Sequence, residues 1–146
     1  MTVALSSREV AANIKSKFPD MTLEVTDQAV IVQSKDLPAV ADYLKNSPEM
    51  DLSYLTDITA VDYYHYFEVV YRLNSINKNT SLVLKCRCYN RENPEIPSLT
   101  SLWRGADFME REIFDLMGIR FTGHYNLQRL VLWEGFNGYP LRKDYL

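Results

Sequence analysis

The sequence predicts an α+β two-layer sandwich: a mostly antiparallel mixed sheet with helices on one face, followed by an extended C-terminal arm. Two periodicities alternate along the chain, one helical and one of period two, in the order α-β-β-α-β-β-β-α. The 146 residues are 47% apolar and 24% charged, which suits a single buried core. Glycine is absent from residues 1–104, and four of the five glycines lie from Gly118 to Gly138 among many aromatic residues. The chain therefore divides into a compact body, residues 1–117, and a docking arm, residues 118–146.

Each element has its own signal. Ser6 and Glu9 have capping-box spacing, and Val10, Ile14 and Phe18 continue a helical stripe up to Pro19. The β-branched runs 22–26 and 29–33, separated by Asp27 and Gln28, predict a hairpin. Asp36, with Pro38 just inside, starts a second helix that carries Val40, Ala41 and Leu44 and stops before Pro48. Extended segments follow at 52–62, 66–75 and 80–89, the last two joined by Asn77-Lys78-Asn79. In the middle segment Phe67, Val69, Tyr71 and Leu73 share one face and Glu68 and Arg72 the other, as in a half-buried strand. A last helix spans 104–117, and Gly118 stands where a C-cap glycine belongs. Beyond it no period is sustained, although Phe121, Tyr125, Trp133, Phe136, Tyr139 and Tyr145 make the arm strongly aromatic.

Composition narrows the function. Sixteen Lys and Arg against 19 Asp and Glu give a net charge of -3, which offers no footprint for a nucleic-acid backbone. No run approaches the roughly 20 apolar residues of a membrane helix, and the N-terminus lacks a signal-peptide pattern. Two cysteines and two histidines are too few for a disulfide scaffold, an iron-sulfur cluster or a histidine-rich metal site. Cys86 and Cys88 share a strand face with Leu82 and Leu84 and read as core. His65 lies in a polar turn, and His124, without a nearby nucleophile or paired carboxylate, reads as a local hydrogen-bonding or interface residue.

The densest constellation runs from Glu110 to Gly118. Ala106, Met109, Ile113, Leu116 and Met117 gather on one helix face, and Asp107, Arg111 and Asp115 form an i, i+4, i+8 row opposite, read as a solvated or docking face. Glu110 falls at the edge of the apolar sector, where a carboxylate needs a partner. Arg129 and Arg142 are the candidate cations, which would make Glu110 a latch for the arm. The alternative for Glu110, a general acid or base, lacks a second catalytic group. The arm carries four Lys and Arg against two acids, +2, whereas the body carries 12 against 17, -5. Aromatics mixed with arginine are the composition of interface anchors, so the arm is expected to wrap its body and to contact a partner.

At these residues a family resemblance becomes specific. The runs ADFMEREIFDLMGIRFTGH, LQRLVL and GYPLRKDY, with NPEIPSLTSLW upstream, resemble the signature of the 30 kDa subunit family of respiratory complex I, the C-subunit of proton-pumping NADH-quinone oxidoreductase. LTDITAVDY and FEVVYRL match more loosely, and the chain departs from the family pattern at Tyr125 and Gln128. The resemblance implies a non-catalytic peripheral-arm subunit that scaffolds the hydrogenase-like large subunit beside a neighbouring iron-sulfur subunit, near the quinone site. It implies no cofactor on this chain, with NADH, FMN, iron-sulfur clusters and quinone on partner subunits. Membrane contact is then indirect, at the cytoplasmic face of the inner membrane or its matrix or stroma equivalent. Glu110, Arg111, Glu112 and Asp115 are expected to organise the last helix, with Gly118 ending it. His124, Arg129, Arg142 and Lys143 are expected to orient and anchor the arm, with Pro140, Leu141, Asp144 and Tyr145 completing its interface. The alternatives are the equivalent subunit of a membrane-bound energy-converting hydrogenase, and a small stand-alone acid-base enzyme using Glu110, Glu112 or His124.

Overall fold

The structure, a computed structural model, describes residues 2–129, 132 and 137–144. The elements in order are β1 (Val3–Ala4), α1 (Ser7–Lys17), β2 (Leu23–Val25), β3 (Val30–Val32), α2 (Leu37–Asn46), β4 (Tyr54–Asp62), β5 (Phe67–Ser75), β6 (Thr80–Cys88), β7 (Glu95–Pro97), α3 (Ala106–Met117) and β8 (Arg120–Thr122). The main sheet has the order β2-β3-β6-β5-β4, with β1 also beside β6. The β3–β6 and β1–β6 pairs are parallel and the others antiparallel, so the sheet is the expected mixed, mostly antiparallel one.

Local chemistry accounts for the boundaries. The Ser6 side chain accepts the Glu9 amide at the start of α1, and Lys15 and Lys17 occupy its last turn, where the helix dipole favours cations. The chain enters α2 through a 3₁₀ turn, Ser34–Asp36, with Pro38 in the first helical turn; Asp36 makes no side-chain cap bond. Strands β4, β5 and β6 form a meander. On its helix-facing side Phe67, Val69, Tyr71, Leu73, Leu82, Leu84 and Cys86 join Val10 and Ile14 of α1 and Val40 and Leu44 of α2 in one core. Glu68, on the other side of β5, is only 2% exposed. The register places Arg87 directly opposite, and Arg87 Nε at 2.9 Å and Lys85 Nζ at 3.2 Å compensate the burial.

The start of the arm departs from the sequence expectation. Residues just after Gly118 are not irregular: β8 pairs in parallel with β7, Ile96 opposite Phe121, and Ile96, Ile119 and Phe121 are all buried. A parallel pair requires a crossover, and α3 supplies it, so β7, α3 and β8 form a small βαβ unit against the main sheet. Gly118 ends α3 in the left-handed conformation, φ +76, and returns its amide to the Phe114 carbonyl.

Candidate functional site

The charged row of α3 is covered rather than solvated. Asp115 is fully buried and Asp107 nearly so. Arg129 Nε lies 2.9 Å from Asp115 Oδ1, and the Leu132 amide donates to Asp115 Oδ2 at 2.8 Å. Arg111 Nε donates to the Gln128 carbonyl at 3.2 Å. At the start of the helix, His124 Nε2 is 3.1 Å from Asp107 Oδ1, and Tyr125 Oη donates to Asp107 Oδ2. The Asn126 amide donates to His124 Nδ1 at 2.9 Å, which fixes the proton on Nε2, facing Asp107. Both ring nitrogens are thereby engaged in holding the chain, and the row serves as the track along which residues 124–129 and Leu132 lie on α3.

A second set of contacts closes the tail onto the sheet. Guanidinium groups and rings alternate in the order Arg91, Phe67, Arg142, Tyr139, Arg129, with successive separations of 4.5, 5.1, 4.9 and 5.0 Å. Cations over ring faces attract the ring quadrupole. A buried carboxylate fixes each end. Asp115 pairs with Arg129, and Asp62 receives Arg91 at 2.5 and 3.0 Å, the Tyr64 amide at 2.8 Å and the Lys143 amide at 2.9 Å. The Arg91 guanidinium and these amides hold the Asp62 carboxyl well below its ordinary range. Arg91 also reaches Asp144 at 3.2 Å.

The same tail supplies what the end of α3 lacks. The last carbonyls of a helix have no intrahelical partner. Here the Leu141 amide donates to the Leu116 carbonyl at 3.0 Å and Arg142 Nε to the Met117 carbonyl at 2.6 Å. Gly118 permits the approach, because a Cβ there would lie 2.7 Å from the Tyr139 ring and 2.8 Å from Arg142 Nη2. Arg129 Nη2 donates to the Gly138 carbonyl at 2.7 Å, drawing the base of the tail together.

Glu110 is not where the sequence argument puts it electrically. It is fully buried, but Arg129 and Arg142 are committed elsewhere, and among the described residues no basic side chain contacts it. Its carboxyl instead accepts Ser98 Oγ at 2.6 Å and the Leu99 amide at 2.8 Å, and burial pushes its pKa up to about 7. The remaining expected residues lie at the surface or are half-buried. Glu112 is exposed, Pro140 is half-buried, Leu141 is exposed, and Lys143 projects over the Tyr64 ring at 5.3 Å. Tyr145, like Trp133 and Phe136, lies outside the described residues. Cys86 and Cys88 are free and buried, and among the described residues no group of His, Cys, Asp and Glu is arranged to hold a metal ion. No helix among them is long and apolar enough to cross a membrane.

Sequence reasoning missed Asp62, Arg91 and Phe67 as parts of the clasp. A readable signal existed for Asp62, which ends a strand on the same face as Ile58 and Ala60, where a carboxylate demands a partner.

Comparison with known proteins places this geometry. A solved chain of the membrane-bound sulfane sulfur reductase, an archaeal respiratory membrane complex, superposes with a TM-score of 0.75 at 23% identity, covering 94% of this chain and 84% of that one, and so shares the fold. The NADH-quinone oxidoreductase C-subunit of Roseiflexus sp. (strain RS-1) is 38% identical over 97% of this chain and 85% of its own length. The second such C-subunit of Rhizobium etli is 45% identical over 70% of this chain, which spans 56% of that protein. The C/D-subunit of Phocaeicola vulgatus is 44% identical over 70% of this chain, which spans 20% of it. The family model described as respiratory-chain NADH dehydrogenase, 30 Kd subunit, matches residues 30–146, and the chain belongs to that family.

Proposed function

We propose that this chain is a non-catalytic peripheral-arm subunit of a proton-translocating NADH-quinone oxidoreductase, scaffolding the hydrogenase-like large subunit near the quinone site. The observation that carries the reading is the family match over residues 30–146, which includes α3 and the clasped tail. The geometry supports it. His124, one of the acid-base candidates, is committed with Asp107, Asp115 and Arg129 to holding the tail, so these residues act as fasteners. The large subunit as neighbour is supported by the relative named as a C/D-subunit. Phe108 and Tyr125, 60% and 74% exposed, project from α3 and the returning segment, and Leu141, 58% exposed, from the tail. Aromatic and aliphatic side chains left outside a well-filled core suit the anchors of a subunit interface.

On this reading NADH, FMN, iron-sulfur clusters and quinone reside on partner subunits, and a neighbouring iron-sulfur subunit adjoins the large one. The chain meets the cytoplasmic face of the inner membrane, or its organellar equivalent, only through the complex. The test is native co-purification with an N-terminal tag after gentle solubilisation of the membranes, read by mass spectrometry. Recovery of iron-sulfur and membrane subunits with a large subunit lacking nickel-binding cysteines is expected. Recovery of the chain alone as a monomer overturns the reading, and a nickel-binding large subunit moves it to an energy-converting hydrogenase.

A further inference from the structure

Three buried carboxylates among the described residues, Asp62, Glu68 and Asp115, each face an arginine or lysine. Glu110, with no exposure at all, faces neutral donors instead. None of the described groups that act on its charge is positive. From the turn after β7 come the Ser98 hydroxyl and the Leu99 amide. From β5 comes Tyr71, a fully buried phenol whose oxygen has no hydrogen-bond partner among the described residues and whose pKa is raised by burial and by Cys86 and Glu110. From α3 itself comes Asp107, whose negative charge raises the Glu110 pKa further. Lys45 of α2 reaches the same turn, but its ammonium donates to the Leu102 carbonyl at 2.5 Å and sits 5.8 Å from the Trp103 ring.

The hydrogen bonds around Glu110 can serve a carboxyl with or without its proton; as donors they oppose, without overcoming, the rise that burial causes. Ser98 Oγ lies 2.9 Å from Thr100 Oγ1, and either oxygen can donate. With Glu110 neutral, its Oε1–H donates to Ser98 Oγ, the Ser98 hydroxyl turns to Thr100 Oγ1, and the Leu99 amide still donates to Oε2. With Glu110 ionised, the Ser98 hydroxyl turns back. Reversible hydroxyls accept either state, but only the neutral one avoids an uncompensated buried charge.

We propose that Glu110 is a proton-gated staple: with its proton bound it closes the turn at residues 98–102 onto α3, and on losing the proton it opens that turn to water. The opening reaches the root of the arm, because the Ser98 amide donates to the Thr122 carbonyl of β8 at 2.8 Å. Burial raises the Glu110 pKa from 4.5 to about 7 in the closed state. The stabilising contribution is therefore complete below about 4.5 and is lost as pH rises through about 7. For an opening that restores the ordinary value, those two figures give an opening equilibrium on the order of tenfold larger at pH 8 than at pH 6.

Hydrogen exchange on the full chain at the two pH values, corrected for intrinsic exchange chemistry, reads this directly at the Ser98, Leu99 and Leu102 amides. The wild type should show the tenfold rise there. Glu110→Gln, which mimics the neutral acid by donating to Ser98 Oγ and accepting from Leu99, should abolish it. An equal pH response in both proteins, or none in the wild type, overturns the proposal. Should the variant fail to fold, a carboxyl ¹³C titration of Glu110 in the wild type decides: a midpoint near 7 sustains the staple, and one at or below 4.5 ends it.

Discussion

Replacing Arg129 with alanine tests the clasp at the point where charge, burial and ring contact coincide. Asp115 is fully buried, and the Arg129 side chain that faces it is only 17% exposed, so the pair lies in a poorly solvated setting. Removing one partner of a buried pair leaves an uncompensated charge and costs about 3–5 kcal/mol. The cation over the Tyr139 ring and the bond to the Gly138 carbonyl are lost as well. In a chain of 146 residues, about 4 °C of melting temperature accompanies each kcal/mol, so Arg129→Ala should melt about 12–20 °C lower. If residues 124–144 detach before the body unfolds, the drop will be smaller, and exchange of the Leu132, Leu141 and Lys143 amides will rise to that of an open chain. The assay is a melt by circular dichroism paired with hydrogen exchange. A shift under about 2 °C with those amides still protected refutes the reasoning. A double-mutant cycle with Asp115→Asn then reports the coupling, expected between about 1 and 3 kcal/mol for residues in direct contact.

Gly118→Ala should cost about 3 kcal/mol, since a left-handed backbone disfavours a side chain and the new Cβ strikes the Tyr139 ring; denaturant titration checks it, and a loss under about 1 kcal/mol contradicts the close approach. The depressed Asp62 pKa contributes stability that is present above the ordinary value of 3.8 and is lost as pH falls through the lowered one. Asp62→Asn should therefore be less stable than wild type at neutral pH and show a flatter acid-unfolding limb. Parallel limbs would remove Asp62 as the cause. His124→Ala should cost about 1–3 kcal/mol, because it removes the ring that lies against Asp107 and leaves the half-buried Asn126 amide without its acceptor. Limited proteolysis should then cut first within residues 123–129, and an unchanged cleavage pattern would remove the histidine as an anchor.

Long periodic segments were legible in the sequence because their signals are local. The cap Ser6, the stripe Val10 and Ile14, and the alternation through Phe67, Val69, Tyr71 and Leu73 each depend on neighbours a few residues away. The β7–β8 pair was not legible, since three-residue strands carry no period and their partner lies across a whole helix. The clasp was half legible. Composition pointed to arginines and aromatics in the arm, and the helical spacing of Asp107, Arg111 and Asp115 marked a common row. Which cation meets which carboxylate is a matter of three-dimensional register, and here it went against Glu110: Arg129 lies opposite Asp115, one turn further along α3. The raised pKa at Glu110 comes mainly from enclosure without a cation and the depressed one at Asp62 mainly from the Arg91 guanidinium, with the neighbouring amides and Asp107 adding to each balance.

The clasp also sets a schedule for making the protein. Lys143 bonds a residue 81 positions earlier, and Asp144 one 53 positions earlier, so these closures wait until residues 143 and 144 have been synthesised. Until then Phe67 has no cation from Arg142 over its ring, and the Leu116 and Met117 carbonyls lack their partners in the tail. A chain cut short before Tyr139 thus leaves the Phe67 ring with one of its two cations and the Leu116 and Met117 carbonyls without their tail partners. Loss of the tail is thus written into the body as well, at the end of α3 and over the Phe67 ring.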